Sequence, residues 1–213
     1  MSYNKQIIDG KTIMAFSCYF NIINPEVAIY QKKIFDLFET PINQEFGIFR
    51  EHGEYMDNII KNVDSDVYIF FDIDAIPLKK NIFEYIVDKI KDGNSFIGIE
   101  QGILFGDMNT YAGPACMGIS KIVYEKLKRP TFCTIPEKNC DTAGGLTYAA
   151  KENDVDVKYF KITNPGDKQW ECKDIVYGHG TIYDNCIYHQ FESHSEKYGE
   201  EFINYCKQIL NEN

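Results

Sequence analysis

The sequence predicts an α/β fold in one domain, with a mostly parallel central sheet flanked by helices. Three observations carry this. Strand-like and helix-like segments alternate along the chain without a linker, a repeat or a low-complexity run. The helical segments are amphipathic, each with one apolar face to lay on a sheet. One strongly apolar strand, Asp66-Val-Tyr-Ile-Phe-Phe-Asp72-Ile-Asp74, ends abruptly in two carboxylates, at the end where open α/β sheets bind ligands.

The elements follow in order. Residues 12–20 form a buried first strand. Asn24 then supplies a cap and Pro25 the first helical position. Val27, Tyr30, Ile34 and Phe38 recur at helical spacing, so this helix packs one face on the sheet. A strand over 44–49 and a helix over 55–62 precede the acid-bearing strand. Asn81 caps the next helix with Glu84 at the capping-box position, Ile82, Phe83, Ile86, Val87 and Ile90 face inward, and Gly93 stops it. Strands over 95–100 and 115–119 lead to a helix capped by Ser120 and ended by Pro130. A helix beginning near Asp141, strands over 155–162 and 181–188, and a last helix over 195–210 complete the chain. Tyr198, Phe202, Tyr205 and Ile209 form the inner face of that last helix.

With 213 residues, 44% hydrophobic and 15% aromatic, the chain can bury one large core. Its net charge of -10 and its two arginines, Arg50 and Arg129, argue against a nucleic-acid partner, which needs a basic face. An acidic protein that binds a nucleoside diphosphate needs a divalent ion between its acids and the phosphates. No stretch reaches the roughly 18–20 apolar residues of a transmembrane segment, and residues 1–6 lack a signal-peptide core. Seven scattered cysteines without a Cys-x-x-Cys pair fit reduced thiols and a cytoplasmic location, including a host cytoplasm for a viral protein.

In an extended chain, side chains at i and i+2 point the same way, so Asp72 and Asp74 converge just past the strand end. Their oxygens suit Mn2+ or Mg2+, ions held by one or two carboxylates plus substrate phosphates. The plainer alternative is a solvated strand end before the turn at Pro77. The first strand ends beside them, which makes Ser17 and Tyr19 either nucleotide-base contacts or core residues.

Taken together, these segments resemble the nucleotide-sugar glycosyltransferases of the GT-A fold, in particular their small stand-alone bacterial or viral members. Tyr68-Ile-Phe-Phe-Asp72-Ile-Asp74-Ala-Ile-Pro77 is similar to the family's Asp-x-Asp motif in its setting. Gly113-Pro-Ala-Cys-Met-Gly-Ile-Ser120 resembles the donor-sugar and acceptor segment, Asp141-Thr-Ala-Gly-Gly-Leu146 the acidic residue beside the reacting sugar, and Tyr188-His189-Gln-Phe191 the C-terminal metal ligand.

The resemblance implies a Rossmann-related catalytic domain over residues 1–213, with a nucleotide-binding part over about 1–100 and an acceptor and sugar part with the C-terminal helix over about 101–213. It implies a hexosyltransferase that moves sugar from a UDP-sugar (GDP is the alternative) to a glycan, a glycoprotein or another hydroxyl acceptor. Asp74 would bind the metal, Asp72 would sit between metal, ribose and sugar, and His189 would add a nitrogen ligand, with His179 and His194 as rivals. Cys116, Met117, Gly118 and Asp141 would meet the sugar or acceptor, Asp57 the nucleoside and Lys197 the pyrophosphate. Asp141 and Asp72 would be the catalytic carboxylates.

Asp141 also reads as a plain helix N-cap, although Gly144 and Gly145, each unfavourable in a helix by about 1 kcal/mol relative to Ala, suggest a ligand approaching that first turn. His52 reads as an ordinary residue. Two alternatives remain: a haloacid-dehalogenase-type phosphatase with Asp72 as nucleophile, which the position of the motif far from the amino terminus, Ala75-Ile76 after it and the lack of a downstream pair of acids disfavour, and a nucleotide-sugar binding module without catalysis. The sugar, the acceptor and the stereochemical outcome depend on loops over 102–113 and 133–140.

Overall fold

The computed structural model describes residues 3–47, 49–102, 110–138 and 140–212. Two strands open the chain, β1 (Gln6–Ile8) and β2 (Lys11–Tyr19), and are followed by α1 (Pro25–Leu37), β3 (Asn43–Phe46) and α2 (His52–Asn62). The acid-bearing strand is β4 (Val67–Phe71), followed by the short β5 (Ala75–Pro77) and α3 (Ile82–Lys89). Two long strands, β6 (Ser95–Gly102) and β7 (Thr110–Ser120), lead to α4 (Lys121–Lys126), α5 (Gly144–Glu152) and β8 (Asp156–Phe160). The remainder comprises β9 (Ile162–Asn164), β10 (Asp167–Cys172), β11 (Ile175–His179), β12 (Thr181–Tyr183), β13 (Ile187–His189) and α6 (Glu196–Glu212).

The main sheet runs β2-β4-β7-β6-β8, with β1 and β3 paired along successive halves of the outer edge of β2. Strands β2, β3, β4, β6 and β8 run the same way, while β1 and β7 oppose them, so the sheet is mostly parallel. Period-two alternation divides its core. Ile13 and Ala15 of β2 and Val67, Ile69 and Phe71 of β4 pack with Phe35 of α1 and the apolar face of α3. Met14, Phe16, Cys18, Tyr68 and Phe70 face the other way, onto α2, α4 and α5. Helices therefore cover both faces. The last helix packs Phe202, Ile203 and Cys206 against Val27 and Ile34 of α1.

A second, antiparallel sheet, β5-β13-β12-β9, joins the C-terminal strands to the turn that carries the acids. Its register sets His189 opposite Ala75. The β10–β11 hairpin forms a third, two-stranded sheet.

Several expected elements take other forms. The strand expected over 181–188 is the β12–β13 hairpin, reversed by Asp184 and Asn185 at φ 47° and 51°, left-handed positions that Asp and Asn tolerate. The strand expected over 155–162 ends at Phe160, and Ile162 begins β9 in the other sheet. The strand expected over 44–49 ends at Phe46, and Ile48 lies outside the described residues. Asn81 stands at the start of α3 but makes no side-chain cap, and Glu84 accepts from Gln6 Nε2 at 2.8 Å. Asn24 and Ser120 do cap their helices, accepting from Glu26 N and Val123 N. No helix among the described residues is long and apolar enough to cross a membrane.

Candidate functional site

Asp72 is the first residue past β4, and Asp74 precedes β5 after a tight turn closed by Ala75 N donating to Asp72 O at 3.0 Å. Asp74 is buried and Asp72 is partly exposed. His189 comes to them across the second sheet, where the chain pairs with β5 and Gln190 N donates to Asp74 O at 3.1 Å. Its Nε2 lies 3.4 Å from Asp74 Oδ1 and 3.8 Å from Asp72 Oδ2.

One donor atom from each of Asp72, Asp74 and His189 lies within 4.8 Å of the others. Donors bound at about 2.1 Å around one octahedral ion are roughly 3–4 Å apart, so small side-chain shifts would let these three share a cation. Two carboxylates and an imidazole also match the donor preferences of manganese-class ions. The second ring nitrogen of His189, Nδ1, is buried with no hydrogen-bond partner among the described residues.

The charges at this cluster support one another. Burial alone would raise the pKa of Asp74, but the adjacent His189 and the Ser193 hydroxyl outweigh it and hold the carboxyl below its ordinary value. Burial likewise opposes a charged His189, and Asp74, then Asp72, overcome it and raise the imidazole pKa.

Sequence reasoning missed two residues here. His52, at the start of α2, places Nδ1 2.9 Å from Asp72 Oδ1, leaving Oδ2 toward His189. Burial disfavours its charge, but Asp72, with a smaller contribution from the Cys18 thiol, raises its pKa well above the usual imidazole value. A signal stood beside it: a Cβ on Gly53 would lie 2.5 Å from Cys133 Cα and from Phe132 O, so only glycine lets this turn seat against the loop. The second is Gln31 of α1, fully buried, whose Nε2 donates to Asp72 O at 2.7 Å and to Ala75 O at 2.9 Å. Gln44 Nε2 in turn donates to Gln31 Oε1 at 2.8 Å and to Ala28 O at 2.8 Å. A buried amide thus clamps both ends of the acid turn.

The acids open into a cleft of about 230 Å³ lined by Cys18 near the end of β2, Phe20, Ile22 and Ile23 beyond it, His52, the acid turn, and Glu192 to His194 beyond β13. This is the carboxyl edge of β2 and β4. Ser17 is fully buried with its hydroxyl unpartnered among the described residues, while Tyr19 is half-buried with its ring 5.5 Å from that of Phe46. His194 lines the cleft, and His179 is stacked on Tyr198 at 3.7 Å.

Other expected positions lie differently. Asp57 lines a groove of about 520 Å³ with Val63 and Asp64, which precede β4, and Lys121, which follows β7. That is the opposite edge of the sheet. Its carboxylate accepts from Phe132 N at 2.9 Å and from Thr131 Oγ1 at 2.5 Å, which ties down a loop. Lys197 is exposed and sits 3.8 Å from Glu201. Cys116 and Met117 are fully buried in opposite core layers, and a Cβ on Gly118 would meet Ile86 at 2.3 Å. These three are packing positions, with no side-chain surface to offer a sugar.

Asp141 is not a helix cap. Helix α5 starts at Gly144 behind Ala143, a non-glycine residue at φ 64°, and Asp141 Oδ1 accepts from Thr142 N at 2.7 Å. Gly144 and Gly145 answer to packing rather than to a ligand, since added Cβ atoms would meet Cys140 Sγ at 2.4 Å and Ile135 Cδ1 at 3.0 Å. Asp141 is exposed and its Oδ2 lies 3.4 Å from the hydroxyl of buried Tyr111. The Tyr111 pKa is pushed well above the ordinary phenol value, first by burial, then by Asp141 and, among smaller effects, Asp72. In the expected acceptor loop over 102–113, residues 103–109 lie outside the described residues, as does Asn139 in the loop over 133–140.

No protein-family model matches this chain, and no curated protein sequence matches it. Among solved structures, the chain is similar to a 4-diphosphocytidyl-2C-methyl-D-erythritol synthase from Anaerococcus prevotii, at 14% identity over 95% of this chain and 100% of that one, with TM-score 0.48. A glycosyltransferase involved in the glycosylation of the major capsid of PBCV-1 is similar at 12% identity over 70% and 81%, with TM-score 0.41. A CMP:2-keto-3-deoxy-manno-octonic acid synthetase complexed with CTP is similar at 7% identity over 70% and 89%, with TM-score 0.42. All three scores are below 0.5, so the mixed α/β fold with its mostly parallel sheet rests on the strand order and pairing within this chain.

Proposed function

We propose that this chain is a GT-A-like, metal-dependent glycosyltransferase that moves a hexose-type sugar from a UDP-sugar to a hydroxyl acceptor. One observation carries the reading: Asp72, Asp74 and His189 converge to within 4.8 Å at the carboxyl edge of a mostly parallel sheet, on a cleft. Asp74, Asp72 and His189 would hold Mn2+ or Mg2+. When bound, such an ion supplies Lewis-acid neutralisation of the charge on a departing diphosphate.

The chain's own residues set up the rest. His189 and Ser193 keep Asp74 ionised although it is buried, and His52 fixes the rotation of the Asp72 carboxylate. Tyr19, at the end of β2, is our choice for the nucleotide base, with the Tyr19 and Phe46 rings giving it an aromatic surface; Ser17, expected beside it, is fully buried and has no side-chain surface to offer. Asp141 is our choice for the carboxylate at the sugar-transfer step. It would take the acceptor hydroxyl proton in an inverting reaction or flank the anomeric carbon in a retaining one.

The test is calorimetry of UDP binding in Mn2+ and in EDTA, together with UDP release from UDP-sugars. Binding that requires the metal and disappears in Asp74→Asn supports the reading. Equal binding in EDTA refutes it. Metal-dependent binding without any UDP release would leave a nucleotide-sugar binding module.

A further inference from the structure

The β10–β11 hairpin pairs with no other strand among the described residues, and every residue of β10 except Cys172 is exposed. It carries Trp170, the chain's single tryptophan, with 38% of its surface open. An exposed tryptophan on a projecting hairpin forgoes the burial that usually stabilises so large a ring.

This ring is nevertheless held from several sides. Tyr177 stacks beside it at 6.1 Å and 30°, His179 lies at 5.4 Å, and Phe191 meets it edge-on at 5.2 Å and 81°. His179 is itself stacked on Tyr198. The hydroxyl of Tyr177 accepts from Gly102 N, which anchors the hairpin to the end of β6. A ring fixed in this way loses little freedom when a ligand covers it.

The aromatic wall leads to the acids. Phe191 contacts Trp170 on one side and lies 4.0 Å from the His189 ring on the other. The next residues, Glu192, Ser193 and His194, line the cleft. The strand that carries Trp170 is otherwise polar and of mixed sign, with exposed Asp167, Lys168, Gln169 and Glu171, a composition that suits neither a polyanion nor a purely apolar partner. A ligand with one flat C–H face and a hydroxylated perimeter fits both the ring and its polar strand.

We propose that Trp170 is the stacking platform for a neutral pyranose, the acceptor sugar, with its reacting hydroxyl directed along Phe191 toward the cleft beside His189. The acceptor role rests on the glycosyltransferase reading above; the sugar-binding role does not.

Because Trp170 is the sole tryptophan, emission excited at the red edge of the absorption band, where the 15 tyrosines do not absorb, reports on this ring alone. The full chain is titrated with methyl β-glucoside, methyl β-galactoside and methyl α-mannoside, and a saturable quench or shift is expected with at least one. With a UDP-sugar and Mn2+, Trp170→Ala should raise the KM for that glycoside roughly tenfold, the loss of one good ring contact. Trp170→Phe should recover most of the difference, and calorimetric UDP affinity serves as the check on folding. Emission unresponsive to all three sugars overturns the platform, as does a shift that follows protein concentration or added phosphatidylcholine vesicles in place of sugar. An unchanged KM in Trp170→Ala overturns it as well. Saturable sugar binding without turnover of any UDP-sugar removes the acceptor role and the glycosyltransferase reading, and leaves a sugar-binding face.

Discussion

Replacing Gln31 by leucine should damage the acid turn without leaving a hole in the core. The two side chains are close in volume, so the effect comes from hydrogen bonds. Three are lost: those to Asp72 O and Ala75 O and the one accepted from Gln44. At about 1 kcal/mol each, the loss is about 3 kcal/mol. For a chain of this size that lowers the melting temperature by about 6–12 °C. Gln31→Glu should be worse, because it aims a buried carboxylate at two carbonyl oxygens. The turn would also lose the clamp that sets the spacing of Asp72 and Asp74, and Mn2+ affinity should fall by about 10- to 100-fold, as for other supports of metal ligands. Thermal denaturation followed by circular dichroism gives the first quantity and Mn2+ calorimetry the second. A Gln31→Leu protein that melts within about 2 °C of the parent and binds Mn2+ with parental affinity would show that the turn holds its shape without the amide.

The remaining predictions address the site residues one at a time. His189→Ala should raise the Mn2+ concentration that supports UDP binding by about 10- to 100-fold, whereas His179→Ala, which removes a ring stacked on Tyr198, should leave it unchanged; the opposite order in a metal titration would exchange their roles. Asp141→Asn should cut sugar transfer by about 100-fold or more while melting temperature and UDP affinity hold, because this exposed carboxylate caps no helix. Transfer at the parental rate would remove it from the reaction. Gly53→Ala should lower the melting temperature and weaken metal binding together, since its methyl would lie 2.5 Å from backbone atoms of Phe132 and Cys133 and displace the turn that seats His52. Parental behaviour in both measurements would show that the loop yields easily.

The sequence alone located the acids. An apolar run ending in Asp72-Ile-Asp74 carries its meaning in the period-two geometry of an extended chain, which needs no knowledge of distant partners. In the folded chain the same alternation sets Val67, Ile69 and Phe71 against one core layer and Tyr68 and Phe70 against the other. Caps at Asn24 and Ser120 were readable for the same reason, because cap and helix are neighbours.

What surrounds the acids was decided by contacts between residues far apart in the chain. His189, which only the motif resemblance pointed to, sits on a three-residue strand too short to show a pattern, and reaches Asp74 through a pairing with β5 across more than a hundred residues. Gln31 is a polar residue in an otherwise ordinary amphipathic helix, and only the packing of α1 on the acid turn makes it a clamp. The converse holds for Cys116, Met117, Gly118 and the glycines of α5. Their motif suggested ligand contact, yet in the folded chain their small size or apolar character is consumed by Ile86, Cys140 and the two core layers. Local periodicity records which way a side chain points from its own element, and tertiary packing decides what it meets there.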